Sequence, residues 1–437
     1  MMKTKPTSPS FISAVSASLA LLLGFGVLML GDGLQSTLLA VRGFQEGFAT
    51  TTIGIVMAVF YAGFLFGSLI TPKTVARVGH IRVFAALAAI ASAAILIHAV
   101  FVTPVVWAIL RLISGFCFAG IYVVAESWLN DRASNETRGK ILSLYMVITY
   151  MAVGISQVFL TLSDPKDYPL FVLTSVLISI AVVPLLMSAG PTPRFEVSDT
   201  VRLKELIGQS PLGVVGIFGV GMAMAALFSL GPVYASRIGF TTAEISYFMA
   251  APVFTTVLLQ WPIGHWSDKR DRRHVLTVVA ILAALSAVAC LTAGYGPNYV
   301  VIATFGLFGG FSLPMYSLCI AHTNDYLKPE QMVAASGGLV LAGGLGAALG
   351  PLAASLMMKM WDDKGFFLLL TGIHAAIGVY GIYRMFKRRS LPLSEQGHHA
   401  PAIFRPTAGA VEAIQEHLRY DFPESEEDNE DDDKEKP

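Results

Sequence analysis

Apolar residues along this chain come in runs of roughly 20, the length that crosses a bilayer core of about 30 Å as a helix. Polar and charged residues gather between the runs. Twelve runs are readable, at 14–40, 50–71, 82–102, 104–128, 139–162 and 169–189, and then at 212–235, 243–263, 274–295, 297–321, 333–356 and 365–385. Each predicts a membrane-spanning helix. Between the sixth and seventh, Pro191, Pro193, Arg194, Arg202, Lys204 and Glu205 break the pattern. The expected architecture is therefore an all-α membrane protein of twelve transmembrane helices in two pseudo-symmetric six-helix bundles. Its parts are an N-terminal bundle over 1–189, a linker over 190–211 and a C-terminal bundle over 212–389. A polar tail over 390–437 follows, disordered but for a short amphipathic helix that 410–420 is able to form.

Composition agrees. Of 437 residues 54% are hydrophobic and 14% charged, where a soluble domain carries about 25% charged. The net charge of zero sums a basic membrane body and an acidic tail that runs from Glu424 through Asp431, Asp432 and Asp433. The first run follows Lys3 and Lys5 as a signal peptide would, but it exceeds an h-region of about 7–15 residues and contains Asp32. It reads as the first span. Cys117, Cys290 and Cys319 all lie inside apolar runs and read as small buried side chains. His98, His322 and His374 stand without a second ligand at metal spacing, and no glycine loop for a nucleotide phosphate is present. No cofactor and no nucleic-acid partner is expected, and neither a nucleophile–base pair nor a metal set for an enzyme can be assembled. The Asn135-Glu-Thr137 triplet fits glycosylation but falls on the side read below as cytoplasmic.

Lys and Arg placement sets the orientation. Lys73, Arg77, Arg82, Arg132, Arg138, Lys140, Lys269, Arg270, Arg272, Arg273, Lys387, Arg388 and Arg389 fall in one set of loops. The alternate loops hold only scattered cations such as Arg42, Lys166, Arg237 and Lys364. Both termini are expected in the cytoplasm, with the chain a monomer in the inner membrane. The halves also repeat: Gly115, Tyr122, Asn130, Asp131 and Glu136 align without a gap on Gly309, Tyr316, Asn324, Asp325 and Glu330. Parallel repeats of this kind put a substrate site between the halves near mid-membrane.

Asp32 and Arg111 are the charges buried deepest in spans, at about 2.5–3.5 kcal/mol each on insertion scales. Counted from the outer ends of their runs, both lie about 10–12 Å deep, a depth that permits an ion pair. The repeat puts Ala226 and Phe305 at their counterparts, so the pair is confined to one half. Asp32 is expected to exchange a proton while Arg111 holds it ionised; a fixed helix fastening is the alternative. Gln35 and Ser36 share the face of Asp32. With Tyr122, Tyr150, Gln157, Phe228, Gln260 and Tyr316 they are the candidate cavity residues, although each aromatic also suits plain packing. Few charges and several aromatics favour an amphipathic or aromatic small molecule. Asp268 with Arg270, Arg272 and Arg273, and Glu126, Asp131, Arg132 and Arg138 in the first half, form a candidate cytoplasmic gate, against simple positive-inside anchoring.

The run Gly264-His-Trp-Ser-Asp268-Lys-Arg270-Asp-Arg272-Arg273 resembles the cytoplasmic signature of the major facilitator superfamily. A degraded copy holds Gly67, Arg77, Gly79 and Arg82, with Thr71 in place of the usual aspartate. Arg111 to Ala119 resembles the arginine-bearing fourth helix, and Gly343 to Pro351 a glycine-rich signature of drug antiporters. The run Ala125 to Arg132, with Arg138-Gly139, is similar to the YcaD-like branch. The resemblance covers about 14–386 and implies secondary transport by alternating access. It also implies that a first-helix acid and the fourth-helix arginine lie on the cavity. Proton-coupled export by antiport is the first expectation. Symport of a metabolite, or a non-transporting sensor or scaffold, are the alternatives.

Overall fold

The computed structural model describes residues 11–132, 135–187, 203–294 and 296–387, with 392 and 396. Among the described residues, twelve helices are long and apolar enough to cross a membrane. They are α1 (Phe11–Gln45), α2 (Thr50–Val78), α3 (His80–Val100), α4 (Pro104–Arg132), α5 (Asn135–Val158, prolonged by the turn Phe159–Leu162), α6 (Pro169–Ile180 with a turn Val183–Leu186), α7 (Pro211–Arg237), α8 (Thr242–Asp268), α9 (Arg272–Ala293), α10 (Asn298–Ser312 and Met315–Asn324), α11 (Pro329–Trp361) and α12 (Lys364–Lys387). A short helix, Leu203–Gln209, lies in the linker. No strand occurs among the described residues. All twelve expected spans are present. Several run further than their apolar stretch, α1 to Gln45 and α2 to Val78, because a helix does not stop where the lipid does.

Local chemistry sets the ends. Gly79, at φ 93°, turns the chain between α2 and α3 in a conformation an L side chain resists. Thr241 and Glu244 close a capping box on α8, the Thr241 hydroxyl accepting from Glu244 N at 3.3 Å and Glu244 Oε2 accepting from Thr241 N at 2.8 Å. Asp271 caps α9 by accepting from Arg273 N at 3.0 Å. Pro314 interrupts α10 between its two segments.

Burial separates the helices into an inner and an outer set. In α1, α4, α7 and α10 the buried share of the apolar window is 67%, 72%, 83% and 67%, against 44–61% in the rest. The inner four line the axis of the bundle. Within the halves, small residues bring backbones together. A Cβ on Gly63 would run into the Leu112 backbone, and one on Gly115 into Phe60, so α2 and α4 pack backbone to backbone. Gly346 and Gly350 of α11 meet Phe218 and Met222 of α7 in the same way. Between the halves α2 packs on α11, α5 on α8 and α1 on α7.

We call the face where α1 begins the starting face and the opposite one the far face. At the far face the halves touch: a Cβ on Gly54 of α2 would meet Ser355 and, at 2.9 Å, the Pro351 carbonyl of α11. Arg237 Nη1 also donates to Thr50 Oγ1 at 3.4 Å, joining α7 to α2.

Candidate functional site

A cavity of about 40 Å³ lies between the halves. It has room for a few waters and none for a metabolite, so the halves are closed upon it. Tyr61, Phe64 and Ser68 of α2 form one wall, and Met224 of α7, Tyr316 of α10 and Gly343 of α11 the other. Of the eight expected cavity residues, Tyr316 lines this space. Tyr61, Phe64 and Met224 escaped the sequence reading, since an apolar residue in a span carries no mark that separates cavity wall from core. Phe64 backs onto Tyr122, ring centroids 5.8 Å apart, and the Tyr122 hydroxyl donates to Met29 Sδ at 2.9 Å. Phe228 and Tyr150 are buried, at 5% and 3% exposure.

The first half holds a polar interior. Asp32 and Arg111 are each 1% exposed, so neither charge faces acyl chains. They are not at equal depth. The Met29–Tyr122 bond and the approach of Trp107 to Gly43 at 3.5 Å fix how α1 lies against α4. Counted from the far-face ends of their helices, Asp32 lies thirteen residues in from Gln45 and Arg111 seven in from Pro104, a difference of about 9 Å along the bundle. The expectation of equal depth failed because α1 continues to Gln45 rather than ending near residue 40. The separation along the bundle leaves the arginine's long arm to close it. The Arg111 guanidinium carbon lies 4.1 Å from the centroid of Phe60, a cation–π contact suited to a dry site. At the counterpart of Arg111 the second half has Phe305, stacked on Phe248 at 3.9 Å and 8°.

Gln35 is fully buried and neither atom of its amide has a hydrogen-bond partner, nor has the Ser36 hydroxyl. Unsatisfied buried polar atoms cost about 1–3 kcal/mol apiece. Two such side chains, three and four residues after Asp32, leave hydrogen-bonding capacity unused beside it. Gln157 is different. Its Oε1 accepts from Thr37 Oγ1 at 2.6 Å, and its Nε2 donates to Gly33 O, Val153 O and Ser156 Oγ at 3.3, 3.0 and 3.1 Å. It braces α1 against α5. Gln260 Nε2 donates to Ser317 Oγ at 3.0 Å, linking α8 to α10.

At the starting face Arg272, 1% exposed, is the centre of a buried cluster. It donates to Asp325 Oδ1 at 2.6 Å, Ala321 O at 3.1 Å and Ser267 Oγ at 3.0 Å, and reaches Asp268 at 3.5 Å. These contacts clamp α8, α9 and α10 of the second half to one another. Asp325 is the repeat partner of Asp131. Arg273 pairs with Asp271 at 2.8 Å. Burial pushes the Asp271 carboxyl up, but its hydrogen bonds from Arg273 outweigh that and hold it below the usual carboxylate range. Asp271 stands at the N-terminus of α9, where its carboxylate caps the helix. Gly264 is buried in α8 and Arg270 is exposed. Glu126, expected at a gate, is 0% exposed, accepts from Tyr145 OH of α5 at 3.2 Å and lies within electrostatic reach of Tyr316 of α10 in the other half. The side chains of Asp131, Arg132 and Arg138 lie outside the described residues.

A family model of the Major Facilitator Superfamily matches residues 21–254 and again 214–419. Among curated proteins, the chain is 26% identical over 355 residues to the uncharacterized MFS-type transporter YcaD of Escherichia fergusonii, covering 81% of this chain and 92% of that one. The YcaD of Salmonella newport is 28% identical over 356 residues with the same coverage. Among solved structures, the fold is similar to a nucleoside transporter, NupG, at TM-score 0.71 and 12% identity, over 84% of this chain and 99% of that one. It is likewise similar to a D-xylose–proton symporter, at TM-score 0.68 and 14% identity, over 89% and 100%. At such identities the likeness is one of fold.

Proposed function

Because the chain belongs to the Major Facilitator Superfamily, as a multi-pass membrane transporter of the secondary type, we propose that it exchanges a small amphipathic or aromatic molecule for protons by alternating access. The observation that carries this reading is Asp32: a carboxylate buried midway along the span Ser18–Gln45 of an inner helix, next to the unsatisfied amide of Gln35. Such an acid is tolerated in a membrane only where it serves a pathway or a partner. Asp32 takes up a proton, and Arg111 favours its ionised form until substrate or proton arrives. The absence of either charge at Ala226 and Phe305 argues for a coupling device over an architectural one, which the repeat would carry twice.

The two halves, about 1–189 and 212–389, rock about the cavity bounded by Tyr61, Phe64, Met224 and Tyr316. One chain supplies both walls, which suits a monomer. The starting face is cytoplasmic in this reading, since it carries Lys73, Arg77, Arg82, Lys269, Arg270, Arg272 and Arg273. The cations Arg42 and Arg237 at the far face are balanced by Glu46 at 2.9 Å and Asp363 at 2.6 Å. The far-face seal at Gly54 and Thr50 then closes the outer side. Export in exchange for incoming protons is the direction proposed, in keeping with the aromatic, charge-poor cavity walls.

Purified protein in liposomes with an imposed pH gradient tests this. Panels of small aromatic and amphipathic molecules should include one whose movement dissipates the gradient, with substrate and proton crossing in opposite directions. Co-directional movement would replace antiport by symport, and substrate flux indifferent to the gradient would remove proton coupling.

A further inference from the structure

Beside the clamp at Arg272, the starting-face ends of α7, α9, α10 and α12 enclose a shallow recess lined by Ser210, Arg273, His322, Tyr326 and Arg384. It is remote from the central cavity and shares no residue with it. Three independent features give it an electropositive, donor-rich character. The first is the N-terminus of α7, a helix of 27 residues opened by Pro211, in whose first turn the N–H groups of Leu212 and Gly213 have no intrahelical acceptor. The second is Ser210, the residue before that helix. A serine at this position ordinarily turns its oxygen back onto the helix, but Ser210 makes no such cap. It lines the recess and is 1% exposed, and its buried hydroxyl has no hydrogen-bond partner. The third is the pair of guanidinium groups. Arg273 is fixed in place by Asp271, whereas Arg384 has no ion-pair partner among the described residues.

We propose that this recess binds a phosphate-bearing anion at the membrane surface. Helix N-termini with free N–H groups hold phosphate oxygens, a hydroxyl adds a donor, and arginine matches phosphate in a fork. With Arg273 balanced by Asp271, Arg384 and the helix end, worth about half a charge, leave a field that suits a singly charged phosphate diester. The depth fits as well. The recess lies where α7 and α9 begin and α10 and α12 end, the level of lipid headgroups, and basic pockets between helix ends at that level take anionic headgroups. An occupant would tie α7 to α12 and to the Arg272 clamp through Arg273, stiffening the starting-face end of the second half. The chemistry is shared by an anionic phospholipid and by free phosphate, and experiment separates them.

The full chain in detergent is titrated with phosphatidylglycerol in mixed micelles, with inorganic phosphate, and with dioleoylglycerol, which lacks the phosphate. Thermal unfolding is followed throughout, and lipid retained on the protein is counted by native mass spectrometry. Wild type is compared with Arg384→Gln and with Lys387→Gln, which removes an equal charge from the same end of α12 outside the recess. Saturable stabilisation by phosphatidylglycerol, weakened roughly tenfold or more in Arg384→Gln and unchanged in Lys387→Gln, is expected. If inorganic phosphate reproduces it, the occupant is a soluble anion; if only the lipid acts, it is a headgroup. No saturable effect from either probe, an equal effect from dioleoylglycerol, or an equal loss in both variants would overturn the site.

Discussion

Single side chains in this protein do their work by being buried with a charge. Arg272 and Asp325 are the clearest pair, 2.6 Å apart at 1% and 2% side-chain exposure. Removing one partner strands the other in a dry site, at about 3–5 kcal/mol, while replacing both by apolar residues recovers most of it. Asp325→Leu and Arg272→Met should each lower the thermal midpoint sharply, and the double variant should lie closer to wild type than either. A midpoint indifferent to both single changes would mean the pair does not clamp α9 to α10. Asp271 makes a pH-dependent contribution. Its carboxyl is held below the usual range, so what it adds is complete above an unfolded value of about 3.9. That contribution fades as pH falls through the lower folded value. Acidification from pH 5 towards 2 should therefore cost wild type more stability than Asp271→Asn, as read by unfolding midpoints across that range. These roles were only partly legible. Arg272 announced itself as a cation in a motif. Its partner Asp325 was marked by the repeat alone, and the burial of Glu126 against Tyr145 left no trace in the chain's pattern.

Helices were the most legible level, because a span needs about 20 apolar residues and nothing else in this chain mimics that length. What the pattern could not supply was register. Asp32 seemed level with Arg111 until α1 proved to continue to Gln45. An apolar run marks where lipid contact ends, and the helix is free to go on. Glycines show the same divide. Gly63 with Gly67, and Gly346 with Gly350, could be picked out by spacing, yet which neighbour each admits is a tertiary fact. Gly54 was silent in the sequence and lies in the far-face seal, where a side chain would collide with Ser355 and the Pro351 carbonyl. Overpacking of this kind costs about 1–3 kcal/mol, and the cost falls on the closed arrangement alone. Gly54→Leu should shift the halves towards separation at that face. A cysteine introduced at Ser355 should then react several-fold faster with a membrane-impermeant maleimide applied from the far side. An unchanged rate would mean that α2 and α11 do not form the seal.

At the scale of the whole molecule, the two halves share a plan and differ in chemistry. The repeat gives both an α2–α4 or α8–α10 packing and a buried tyrosine, Tyr122 or Tyr316, on the inner helix. Charge breaks the symmetry. The first half keeps Asp32 and Arg111, and the second fills the matching space with stacked Phe248 and Phe305. Both halves wall the cavity, and the proposed proton coupling rests on the first alone. The cavity between them is closed down to about 40 Å³, so its substrate-sized form belongs to another stage of the cycle. Proton-driven flux in liposomes bearing Asp32→Asn, beside Asp32→Glu and wild type, tests the assignment most directly. The account predicts that Asp32→Asn loses gradient-driven transport by a factor of about 100 or more, the scale of a missing proton-transfer group, while Asp32→Glu keeps a measurable part. Gradient-driven transport by Asp32→Asn at the wild-type rate would contradict it.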